Sequence, residues 1–151
     1  MKKNDKSVNA TVCVVKILMI ILGVLVITWW KIVDLLFKYR LFDDGNSVFK
    51  IVLIVIFYIC VPSAALTLFY TYRFLMNIKK GSVFIYENVK YLRLLSYTCL
   101  SVVPLSLPLC FFAFSSVPIP FAAGFMSLIL RVIKNAFSEG TQIKNENDLT
   151  V

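Results

Sequence analysis

The chain has 151 residues, 60% of them hydrophobic and only 16% charged, with a net charge of +8 and a mean hydropathy of +0.84. Soluble domains run near roughly 45–50% apolar and about 25% charged, so the composition excludes an ordinary water-soluble fold and points to a bilayer as solvent. The basic excess sits at the ends of apolar runs, where it sets topology and meets anionic headgroups, so direct nucleic-acid binding is not expected.

The first ten residues, MKKNDKSVNA, are polar and basic, and an apolar run then extends to Trp30, interrupted by Lys16. No small-x-small site closes this run, and it ends in Trp29-Trp30, an aromatic pair suited to a membrane interface, so an uncleaved spanning helix over about 12–30 is predicted. Lys16 lies near its inner end, where a long side chain can snorkel. In the connector from Lys31 to Lys50, Ile32, Leu35, Leu36 and Tyr39 fall on one helical face, which predicts that the first helix continues past the interface. Asp43-Asp44-Gly45-Asn46 is turn chemistry, and without further ligands this acidic pair reads as a solvated turn.

Ile51 to Tyr72 is 22 residues without a charge, about 33 Å as a helix, enough for a second span over 51–72. Pro62 sits mid-run, with Ser63 and Thr67 as candidates to satisfy the carbonyl it frees. Tyr70 and Tyr72 mark the inner interface.

The basic connector 73–93 follows, RFLMNIKKGSVFIYENVKYLR, with five Lys/Arg and one acid, Glu87. Lys80-Gly81-Ser82 breaks the helix. From Glu87 a helix feeds the third span, with Val89, Leu92 and Leu95 along one face. The segment reads either as an interfacial piece held by anionic lipid or as a docking surface for a cytoplasmic partner.

Leu94 to Leu130 is 37 residues without a charge, too long for one ordinary span. Ser115-Ser116-Val117-Pro118-Ile119-Pro120 supplies the break, giving spans over about 94–114 and 120–137. Pro104 and Pro108 share a face and are expected to kink the third helix. Ala123 and Ser127 form a small-xxx-small pair that permits close helix approach. Arg131 and Lys134 stand at the inner end of the fourth helix, and a polar tail over 138–151 follows.

The sequence therefore predicts an all-α, single-domain integral membrane bundle of four transmembrane helices over 1–151. With the N terminus inside, the inner segments hold twelve Lys/Arg against four outside, which satisfies the positive-inside rule for an up-down topology with both termini cytoplasmic. The span centres carry no Asp, Glu, Lys, Arg or His, which disfavours ion-coupled transport. No histidine is present, and the four cysteines have no metal or redox spacing. With no nucleophile–base pair and no phosphate-cradling loop either, neither enzymatic activity nor a cofactor is expected.

Two stretches carry a family resemblance. One is Gly81, Phe84, Glu87, Asn88, Val89, Lys90, Leu92, Arg93 and Leu95, as G-x-x-F-x-x-E-N-V-K-x-L-R-x-L. The other is Phe137 and Gly140 followed by Glu146-Asn147-Asp148-Leu149-Thr150-Val151. Together they resemble the bacterial membrane family catalogued as domain of unknown function 2975, whereas the first span and first connector match nothing in it. The resemblance implies a small four-span protein of the bacterial cytoplasmic membrane with no established activity. Genes of this family often neighbour one for a small helix-turn-helix regulator, which implies a membrane partner that holds or releases a transcription factor. The residues then expected to bind a partner are Lys79, Lys80, Gly81, Phe84, Glu87, Asn88, Lys90, Arg93, Glu146, Asn147, Asp148, Leu149 and Val151. Two rival readings are an immunity or stress protein with a peptide or small-molecule cleft near Pro104 and Pro108, and a transporter subunit.

Overall fold

The computed structural model describes residues 2–39, 47–112 and 116–149. They form four helices: α1 (Lys2–Lys38), α2 (Ser47–Lys79), α3 (Tyr86–Phe112) and α4 (Pro118–Leu149). All four are long and apolar enough to cross a membrane. Each overruns the apolar run inside it: α4, with 32 residues, is about 48 Å long against a hydrocarbon core of about 30 Å. The polar stretch from residue 138 thus continues α4 as helix through Leu149. The α2–α3 joint falls where Gly81 adopts φ +79°, open to glycine without strain. Gly81 N–H donates to Ile78 O and Ser82 N–H to Asn77 O, the paired bonds of a Schellman cap. Pro118 opens α4, where its missing N–H costs nothing.

The helices pack in chain order, α1 on α2, α2 on α3 and α3 on α4, and the backbones of α1 and α4 do not come together. The arrangement is an open row of four helices, each packed on its neighbour in the chain. Contacts climb one helix as they descend the next. Along α1–α2, Asp34 pairs with Lys50, Trp29 stacks on Phe57 at 4.0 Å, and Lys16 lies 5.9 Å over Tyr72. Along α2–α3, Ser63 Oγ donates to Thr98 O, Tyr70 stacks on Tyr91, and Asn77 bonds Asn88.

Burial is inverted relative to a soluble protein. Asn88, Ser96, Ser106, Ser127 and Thr141 are among the most buried side chains, while Ile27 is 81% and Phe111 90% exposed. Lipid solvates apolar side chains as well as a core does, so helix association rests on close packing and interhelical hydrogen bonds.

Val89, Leu92 and Leu95 are buried together, as their spacing predicts. Other expectations need correction in part. The first helix does continue past Trp30, as far as Lys38, as expected; on that extension Val33 is buried while Leu35 and Tyr39 are exposed. Among the described residues α1 packs against α2, burying Val12 and Val15 near its start and Val33 farther along, where Trp29 stacks on Phe57 and Phe37 meets Phe49. Ser63 and Thr67 turn to α3: Ser63 Oγ reaches Thr98 O at 3.0 Å and Thr67 Oγ1 lies 2.9 Å from Thr98 Oγ1. Ser127 packs on α3 as expected, but its companions there are Pro120 and Gly124, and Ala123 lines a groove on the other flank. Pro104 and Pro108 both lie inside α3 and share a face, as their four-residue spacing predicts, and that face is exposed. The turn Asp43–Asn46 lies outside the described residues.

Candidate functional site

At one end of the row the connector and the extension of α4 meet. Asn88 fixes the connector. It is 0% exposed, its Nδ2 donates to Ser82 O at 3.0 Å and Val83 O at 2.7 Å, and its Oδ1 accepts from Asn77 Nδ2 at 2.9 Å. Both amide protons are used within the fold, so Asn88 is a structural staple and not a surface contact. Ahead of it Phe84 leans across to α4, with its ring 5.6 Å from that of Phe137, which in turn lies 5.7 Å from Phe74 on α2. Gly140 makes the seat: a Cβ there would stand 2.7 Å from Phe84 Cε1. Phe84 of the first family-like stretch is therefore seated on Phe137 and Gly140 of the second.

Around this seat Lys79, Lys80, Gly81, Glu87, Lys90 and Arg93 are exposed and Phe84 is partly so. On α4 Glu146 is exposed and accepts a 2.9 Å hydrogen bond from Gln142, and Asn147 is exposed. Asp148 and Leu149 close α4, and Val151 lies outside the described residues.

One assembly escaped the sequence reading. Ser96 and Ser127 are buried against each other, and each hydroxyl donates to the other's carbonyl, at 3.1 and 3.0 Å. Arg131 Nε donates to Ser96 Oγ at 3.3 Å. Arg93, Tyr97, Lys134 and Asn135 complete the wall of a pocket of about 310 Å³ around them. The signal was present as Arg93/Ser96/Tyr97 and Ser127/Arg131/Lys134. Each set lies on one helical face at either end of the uncharged hairpin, but the two meet only when the chain folds back on itself.

Elsewhere the grooves are apolar. One between α3 and α4, of about 490 Å³, is lined by Val103, Phe121, Gly124 and Leu128 among others. Another, of about 430 Å³, separates α1 from Cys99 and Val102 of α3 and Ala123 of α4. Among the described residues no group of three or more His, Cys, Asp or Glu is placed to hold a metal ion.

Four long apolar helices, with polar side chains turned inward and a basic, aromatic rim at one end, define a multi-pass helical membrane protein. The profile of the family described as "Protein of unknown function (DUF2975)" matches residues 45–151, and the chain belongs to this family. The match begins just ahead of α2 and leaves α1 outside, in line with the unmatched first span. No curated protein and no solved structure matches the chain.

Proposed function

We propose that the protein is a non-enzymatic tether of the bacterial cytoplasmic membrane. It crosses four times in up-down fashion, keeps both termini inside, and holds a small helix-turn-helix regulator on the surface shared by the connector and the end of α4. The observation that carries this reading is the Phe84–Phe137–Gly140 seat, which brings the connector against the inner part of α4. The partner's class comes from the family resemblance. The level of Lys16, Arg73, Arg93 and Arg131 supports the orientation, because their contacts place them at one end of the row among Tyr70, Tyr72, Tyr91 and Tyr97. The cleft reading finds less support, since the groove beside Val103 has an apolar lining and Pro104 and Pro108 face outward.

The test is a pull-down of the detergent-solubilised tagged chain from its native host, as wild type, without residues 146–151, and as Phe84→Ala. The expected result is recovery of a helix-turn-helix protein by the wild type and its loss in both variants. Equal recovery by all three, or no cytoplasmic protein in any, would end this reading.

A further inference from the structure

The pocket at Arg93, Ser96, Tyr97, Arg131, Lys134 and Asn135 gathers three cations where the uncharged hairpin ends. Among the described residues no carboxylate pairs with any of them; the ion pair present, Lys50–Asp34, stands at the opposite end of the row. The serine pair sets one of the cations in place. The Ser96 proton goes to Ser127 O, so its lone pair is free to accept Arg131 Nε–H. That leaves the two terminal nitrogens of Arg131 for a ligand. A guanidinium held in this way, with two further cations beside it, suits the oxygens of a phosphate.

A second observation fixes which phosphate. The apolar groove of Val103, Phe121, Gly124 and Leu128 runs along the same flank of the α3–α4 seam. On α4, Asn135, Arg131, Leu128, Gly124 and Phe121 succeed one another in steps of four and three. On α3, Arg93, Ser96 and Val103 do so in steps of three and seven. From Arg131 to Phe121 is ten residues, about 15 Å, or half of a hydrocarbon core of about 30 Å. A polar head pocket thus opens onto an apolar trough one leaflet deep. A soluble anion has no use for the trough, and a neutral lipid has none for the cations.

We infer that this seam is a binding site for one anionic phospholipid, with its phosphate held by Arg93, Arg131 and Lys134 and an acyl chain laid along the groove toward Phe121. The site shares Arg93 with the rim of the proposed partner surface and is otherwise built from other residues, and it is tested without a partner.

The experiment is native mass spectrometry of the full chain in detergent, titrated with phosphatidylglycerol, phosphatidylcholine or inorganic phosphate. Phosphatidylglycerol is expected to be retained as one tightly held copy, ahead of the other two. Arg93→Gln and Lys134→Gln, whose side chains make no described hydrogen bond, should each weaken it about fivefold, since a basic residue near an anionic lipid surface contributes about 1 kcal/mol. Gly124→Leu, which fills the trough without changing charge, should also displace it, with melting curves confirming that each variant is folded. Equal retention of phosphatidylcholine would overturn the proposal. So would an equal loss in a Lys79→Gln/Lys80→Gln control, which would mean diffuse attraction. Inorganic phosphate binding as tightly as the lipid would assign the pocket to a soluble anion instead.

Discussion

Replacing Asn88 by alanine strands three groups at once: the carbonyls of Ser82 and Val83 and the amide of Asn77. An unsatisfied buried polar group costs about 1–3 kcal/mol, so Asn88→Ala should lower the melting midpoint in detergent clearly, and Asn88→Asp further, because a carboxylate would face two carbonyls. An unshifted midpoint in both would show that the connector is held by something else. Gly140 makes a sharper case because two effects oppose. Alanine is favoured over glycine inside a helix by about 1 kcal/mol, but here its Cβ must displace the Phe84 ring. Gly140→Ala should therefore stabilise a Phe84→Ala protein and fail to stabilise the wild type, a difference that a double-mutant cycle reads directly. Nothing in the sequence distinguished Asn88 from its exposed neighbours in the same motif. Yet it falls on the stripe with Leu92 and Leu95, and in a membrane protein a polar residue on the packed face belongs inside.

At the scale of the helix, breaks and caps were legible because they rest on local chemistry. Lys80-Gly81-Ser82 marks the end of α2, and the proline-rich break ahead of α4 falls where expected, with α4 opening at Pro118, two residues before the predicted Pro120. Gly81→Ala should cost about 1–2 kcal/mol through its left-handed backbone alone, measurable as a lower melting midpoint with α2 and α3 still formed. Which face of a helix meets which neighbour was less legible. Hydroxyls such as Ser63 and Thr67 look the same in sequence whether they mend a proline break or cross to the next helix, and apolar periodicity fades when lipid and protein accept the same side chains. The α3–α4 contact turns on the Ser96–Ser127 exchange. Ser96→Ala and Ser127→Ala should couple by about 1 kcal/mol in a double-mutant cycle, the scale of interhelical hydrogen bonds in membranes. Additive losses would mean that packing alone holds the pair.

For the whole molecule, the proposed orientation rests on the distribution of charge, and it is testable by labelling. In a background with Cys13, Cys60, Cys99 and Cys110 replaced, Lys80→Cys and Asn147→Cys should react with an impermeant maleimide only after the cells are opened. Lys38→Cys should react in intact cells. The reverse pattern would invert the topology and move the proposed partner surface outside. Composition and hydropathy made the four long apolar helices legible. They could not show that the row stays open, since closure depends on whether α1 and α4 find each other and not on either sequence alone.

An open row is wired in series. A closed bundle offers a disturbance at the first helix two ways round to the last, whereas here the backbone contacts leave one, through α2. The Phe74–Phe137 contact then lets α2 pass it to α4 without crossing α3. Were the proposed tether to respond to a tilt of α1, the change would have to reach the Phe84 seat through α2, the one relay helix, and α2 is where it could be cut.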